Sequence, residues 1–152
     1  MPPTVQYLYS LKFSLGTILL MTAFMLVLLN NVMAVNTTLT WVVYGVFAVI
    51  FLFFVVEMTT KRLIPAVKGE IALELDEEGI NDYIRDASIG WNDIKEINFV
   101  RGRTAACLRI DLKWESDYGS QLAIPLRWIK GNDREIYETV SAFFEEACLA
   151  NS

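Results

Sequence analysis

The sequence predicts an α+β membrane protein: a two-helix transmembrane hairpin followed by an antiparallel β roll or barrel with a C-terminal capping helix. Three observations predict it. From Phe13 to Val56 there is no Asp, Glu, Lys or Arg, so a helix built there has no solvated face. From Ile71 onward the hydrophobic residues alternate with a period of two, as in strands with one buried face. From Ile136 to Ala147 they recur at helical spacing.

The first apolar run, Phe13 to Leu29, extends to Val35 if Asn30 and Asn31 sit at an interface, which gives a helix near the roughly 20 residues that cross hydrocarbon. The second begins at Trp41 and Tyr44, where an aromatic belt belongs, and ends where Glu57, Lys61 and Arg62 restore charge. The expected helices cover about 13–35 and 41–58. The segment between them is polar, uncharged and short, so the helices form an antiparallel hairpin. That segment has no Lys or Arg, whereas Lys12 precedes the first helix and Lys61, Arg62 and Lys68 follow the second. The positive-inside bias therefore places both termini in the cytoplasm. The first run exceeds the 7–15 apolar residues of a signal peptide and follows a single Lys, which favours a retained anchor. With no ionisable residue in either span, the marks of a proton relay, ion path or voltage sensor are missing.

The expected organisation is a transmembrane hairpin over 1–60, a juxtamembrane linker over 61–70 and a cytoplasmic domain over 71–152. In the last, Ile71, Leu73 and Leu75 alternate with Ala72, Glu74 and Asp76. The run Glu77-Glu78-Gly79 supplies a hairpin turn, and Ile80 to Ile84 returns. Strand, short helical turn and strand follow from Ile89 to Phe99, with Trp91, Ile94 and Ile97 in the core and Asp93 starting the helical turn. After a turn at Arg101-Gly102-Arg103, the side chains of Ala106, Leu108, Ile110, Leu112 and Trp114 point to one face. Ser116 to Ser120 turns the chain into a strand over Gln121 to Leu126. Asn132 or Asp133 caps the final helix, whose apolar stripe runs through Ile136, Val140, Phe143 and Ala147.

Charge and residue types exclude several functions. Lys12 is the only charged residue before Glu57, so the remainder carries 12 basic and 18 acidic side chains, a balance opposed to nucleic-acid binding. There is no His, hence no His-based triad or metal site, and no Gly-rich phosphate loop. Cys107 and Cys148 are expected as reduced thiols in or near a core. Asp82 and Asp86 read as a surface pair. No catalytic, cofactor-binding or metal-ligating residue is expected.

The segments Leu73 to Ile80 (LELDEEGI) and Ile89 to Ile97 (IGWNDIKEI) carry a resemblance. Together they resemble the acidic turn, Gly, Ile, then Ile-x-Trp-x-Asp-Ile pattern of bacterial pleckstrin-homology-like domains. Over essentially its whole length the chain is similar to small bacterial inner-membrane proteins with two N-terminal helices and one such domain, a family of mostly unknown function. The resemblance implies a multi-pass inner-membrane protein, a fold motif at Gly79, Trp91, Asp93 and Ile94, and binding of lipid, peptide or protein rather than chemistry. Relatives that bind phosphoinositides present Lys and Arg in the first hairpin loop. The loop matched to it here is Asp76-Glu77-Glu78-Gly79, which repels a phosphorylated headgroup and disfavours that ligand. The expectation is a noncatalytic interaction or scaffold module with a protein partner or a second copy of itself. The alternative is a binder of anionic lipid through Lys61, Arg62, Lys68, Arg101 and Arg103.

Overall fold

The computed structural model describes residues 3–35, 37–103 and 105–150. They form two compact units: a helical unit, Leu11–Lys68, and a sheet unit that joins the residues up to Ser10 to those from Gly69 onward.

In the helical unit, α1 spans Leu11–Val35 and α2 spans Thr38–Met58, about 37 and 31 Å at the α-helical rise. Both are long and apolar enough to cross a membrane. Neither is the core helix of a soluble fold, because their most apolar windows are only 6% and 0% buried. Three polar side chains within α1 turn back on their own helix: Thr17 donates to Phe13 O, Thr22 to Ile18 O and Asn31 to Val27 O. This satisfies donors that hydrocarbon could not. The second helix starts earlier than the aromatic residues suggest because Thr37 caps it. The Thr40 N–H donates to Thr37 Oγ1 at 3.3 Å, and the Thr37 N–H donates to Thr40 Oγ1 at 3.2 Å, a capping box with Thr in place of the usual Glu.

The expected linker is helical instead. A π-helical turn, Thr59–Leu63, follows α2 and runs into α3, Ile64–Lys68, so Thr38–Lys68 is one continuous helix. Pro65 has no N–H to give and its ring crowds the carbonyl a turn earlier. The wider π turn just before it accommodates both defects, and the helix survives the proline. It ends at Gly69, whose φ of +69° is the left-handed conformation that closes helices and that a side chain resists.

The sheet unit has seven strands among the described residues, in two antiparallel sheets. One has the order β1-β2-β3-β4 (Val5–Leu8, Ile71–Leu75, Gly79–Asp82, Ala87–Gly90). The other has the order β5-β6-β7 (Ile94–Arg101, Ala106–Ser116, Gly119–Pro125). Among the described residues the two sheets do not close into a barrel. A C-terminal helix, α4 (Asp133–Ala150), buries Ile136, Val140 and Phe143, each worth about 1.5–3 kcal/mol of transfer free energy. The Arg134 N–H donates to Asn132 Oδ1 at 3.0 Å, so Asn132 caps it.

The strand that sequence periodicity does not reveal is β1. Its four residues pair with β2 in the register Val5↔Leu75, Gln6↔Glu74, Tyr7↔Leu73 and Leu8↔Ile71. Residues 3–10 therefore belong to the sheet unit, not to the hairpin, and the helical unit is an insertion between two neighbouring strands. Just beyond β1, Tyr9 is buried and bridges Ile129, and its hydroxyl donates to Tyr83 O at 3.2 Å. The Ser10 N–H donates to Trp128 O and the Lys130 N–H to Leu8 O, both at 2.7 Å, so this corner connects the first sheet to the segment after β7.

Other differences have local causes. The acidic turn Asp76-Glu77-Glu78 joins β2 to β3; it is not the first strand connection, which the helical hairpin itself occupies. The returning strand stops at Asp82, not Ile84, because Asp82 Oδ1 accepts the Ile84 N–H at 2.9 Å and turns the chain. Asp82 is buried, 1% exposed, and is not a surface acid. Trp114 is 73% exposed although it shares the face of Leu112. The neighbouring strand β5 begins opposite Leu112, and the β6–β7 register shifts between Asp111 and Ser116, so Trp114 lies beyond the regular ladder on both sides. Cys107 is half-buried and Cys148 exposed.

Two measurements test the role of β1. Tyr9→Ala is expected to destabilise the protein by about 2–4 kcal/mol and Tyr9→Phe by about 1 kcal/mol through the lost hydrogen bond. Denaturation in mild detergent followed by tryptophan fluorescence reads both, and a loose N-terminal tail would give no change. The second measurement concerns Glu74 beside β1, whose Oε1 accepts from Gln6 Nε2 and whose Oε2 accepts from the Tyr83 hydroxyl, each at 2.7 Å. The hydrogen bond to this carboxylate holds the Tyr83 phenol above its ordinary value of 10.0. Its contribution is complete below the unfolded phenol pKa and is lost as pH rises through the elevated folded one. Spectrophotometric titration of the tyrosines is expected to lose its Tyr83 component in Tyr83→Phe, and Glu74→Gln is expected to lower that component's midpoint.

Candidate functional site

Among the described residues no group of three or more Asp, Glu or Cys is placed to hold a metal ion. A cleft of about 680 Å³ lies in the sheet unit where the β5–β6 hairpin meets the first turn of α4. That volume is within the range of small-ligand sites.

Local structure accounts for its shape. Arg101 ends β5, and the chain turns through Gly102 and Arg103, with the Gly102 N–H donating to Ala105 O at 3.0 Å. Alternation along a strand and the tight turn leave Arg101 and Arg103 exposed on the cleft wall. The opposite wall comes from α4, which brings Asp133, Arg134 and Tyr137 to the same space. The floor is aromatic: Phe99 and Tyr137, both half-buried, have ring centroids 5.5 Å apart and planes tilted by 44°. Small residues, Ala105 and Ala106, keep the cleft open between the walls.

Arg134 is a cationic residue of this cleft that sequence reasoning missed. It lies 31 positions beyond Arg103, and only the packing of α4 brings it to the hairpin tip. Its visible role is an exposed i,i+4 pair, Nε to Glu138 Oε1 at 3.0 Å with the side chains 82% and 64% exposed. Such a pair is worth about 0–1 kcal/mol, so the guanidinium is readily redirected. At the helix end the Asn132 side chain takes the N–H of Arg134, and its carbonyl accepts the Ile136 N–H as the first intrahelical bond.

The edge strand β5 adds a second feature. Among the described residues it is the terminal strand of its sheet and pairs only with β6, so the cleft opens beside a strand with one unpaired edge.

The remaining residues singled out in the sequence have other positions. Lys61, Arg62 and Lys68 belong to the helical unit, Lys61 and Arg62 in the π turn and Lys68 in the last turn of α3. Lys61 Nζ pairs with Glu57 at 2.8 Å. Gly79, Trp91, Asp93 and Ile94 lie outside the cleft. A Cβ on Gly79 would collide with the Ile89 carbonyl, so this glycine is there for the close approach of β3 to β4. The Trp91 Nε1–H donates to Asp76 O at 2.9 Å, and the ring stacks on Phe143 at 6.1 Å. Asp93 ends the one-turn helix Trp91–Asp93 that Gly90 begins, contrary to the expectation that it starts it, and Ile94 is wholly buried.

A smaller cleft, about 240 Å³, is bordered by Trp114 and Tyr118, both exposed. It gathers only one charged side chain, Asp93. A third, of about 60 Å³, is lined by Asp76, Glu77, Trp91, Phe143 and Glu146 and carries the opposite sign to the arginine cleft.

Comparison of the chain with protein-family models, with curated proteins and with solved structures finds no match.

Proposed function

We propose that this protein is a membrane-anchored, noncatalytic interaction module whose sheet unit is a pleckstrin-homology-like domain presented to the cytoplasm of a bacterium. The observation that carries the interaction role is the cleft beside the free edge of β5. It combines an aromatic floor, three arginines from two elements and an unpaired strand edge, the parts of a recognition surface. The 4+3 strand arrangement with a C-terminal helix and the Gly79–Trp91 motif support the fold reading.

The anchor follows from the insertion. The helical unit leaves the sheet unit after β1 and returns at β2, so if both helices span, the two ends meet the same side of the membrane. The cations at its ends and the uncharged tip favour the cytoplasmic side. The partner is a protein or a second copy of the chain. A specific phosphoinositide is disfavoured, because the first strand connection is helical and the turn after β2 is acidic, its Asp76 carboxylate accepting from the N–H groups of Glu78 and Gly79.

A second reading is favoured by the convergence of Arg101 and Arg103 with Arg134: the module binds anionic ligand, such as lipid at the inner-membrane surface, with Lys61, Arg62 and Lys68 contributing nonspecific attraction of about 1 kcal/mol each.

In-cell crosslinking and purification of the full-length protein in mild detergent tests the first reading. The expected result is a stoichiometric partner or a defined homo-oligomer with crosslinks mapping to β5 and the first turns of α4. A monomer without partner contradicts it, and a C-terminal reporter active outside the cytoplasm contradicts the orientation.

A further inference from the structure

We infer that the cleft between the β5–β6 tip and α4 is a site for a phosphate monoester, bound by Arg101, Arg103 and Arg134 over the Phe99–Tyr137 floor. This rests on the second reading above, an anionic ligand at this cleft, and names its chemical class.

The argument starts from charge. The protein carries a formal net charge of −5, so its average field repels anions. Against that background three arginines line one cleft with a single acidic residue, Asp133, and Glu138, which pairs with Arg134, stands outside the lining. The local excess of positive charge suits a dianion better than a single carboxylate. A phosphate monoester carries close to two negative charges at neutral pH and three acceptor oxygens.

Geometry supports the same class. Guanidinium is a planar fork that meets phosphate oxygens in pairs and is weakly hydrated, so it surrenders water at modest cost. The arginines come from two walls: Arg101 and Arg103 from the hairpin, and Arg134 from the helix. A tetrahedral anion presents oxygens to both walls at once, which a planar carboxylate does less well. The half-buried rings beneath offer an apolar surface to whatever carries the phosphate, and the cleft volume exceeds what phosphate alone fills.

The phosphate can arrive on a soluble compound or on a lipid headgroup, and the test separates them. Full-length protein in zwitterionic-lipid nanodiscs is titrated with inorganic phosphate at constant ionic strength by calorimetry. Saturable binding is expected, weakened about tenfold or more by each of Arg101→Gln, Arg103→Gln and Arg134→Gln and unchanged by Lys113→Gln. Retention of partial affinity in the corresponding Lys variants, with unaltered tryptophan emission, shows that charge is lost and not the fold. The titration is repeated in nanodiscs that contain phosphatidic acid. Weakened phosphate binding there identifies the lipid headgroup as occupant; unchanged binding identifies a soluble ligand. No saturable binding in wild type, or binding unchanged in the triple Gln variant, overturns the site. That failure, with the crosslinked partner or oligomer still recovered, removes the ligand and leaves the interaction module standing.

Discussion

The antiparallel pairing of Val5–Leu8 with Ile71–Leu75 is the constraint on which the rest of the structure depends. Two strands adjacent in a sheet are separated in sequence by the whole helical unit, Leu11–Lys68. If those residues formed a flexible loop, closing it would cost roughly 3–4 kcal/mol in chain entropy alone. A helical hairpin avoids much of that cost. Its helices return the chain to where it started, and α1 packs on both the π turn and α3 near the far end of the insertion. The ladder, the burial of Tyr9 and the Gln6–Glu74–Tyr83 hydrogen bonds then fix both ends of the hairpin into one sheet.

A second constraint divides the sheet unit into a structural end and an available end. Trp91 binds the acidic turn through its ring N–H to Asp76 O and its backbone N–H to Glu78 O, and it stacks on Phe143 of α4. The turn, the one-turn helix and the C-terminal half of α4 thus form one packed assembly, with Gly79 allowing β3 to approach β4. At the opposite end of α4 the walls stand apart, and the cleft is lined by arginines whose visible partners are few and exposed. The motif that is conspicuous in the sequence serves the fold; the residues suited to recognition lie away from it.

How much of this was legible in the sequence depended on whether a residue's role was local. The two apolar helices, the alternating strand from Ala106 to Leu112 and the stripe Ile136, Val140 and Phe143 are set by periodicity, and each was readable. The strand β1 was not: its four residues, Val-Gln-Tyr-Leu, are too short to show a period and sit beside a long apolar run that dominates any window. Their strand state comes from a partner more than 60 positions away. The helical linker was missed because Pro65 signals a break, whereas a π turn accommodates it. Half of the cleft was legible, since Arg101-Gly102-Arg103 marks a basic turn. Arg134 was not, because nothing in a solvated i,i+4 pair announces which distant hairpin it faces.

Amide hydrogen exchange on the full-length protein in lipid tests the central claim most directly. If β1 closes the sheet around the hairpin, the amides of Val5–Leu8 that pair with β2 exchange as slowly as their partners in Ile71–Leu75 and slow further with any ligand that stabilises the sheet unit. Exchange of those amides at the rate of an unstructured chain, with β2 and β3 still protected, would contradict the account and return residues 3–10 to the hairpin.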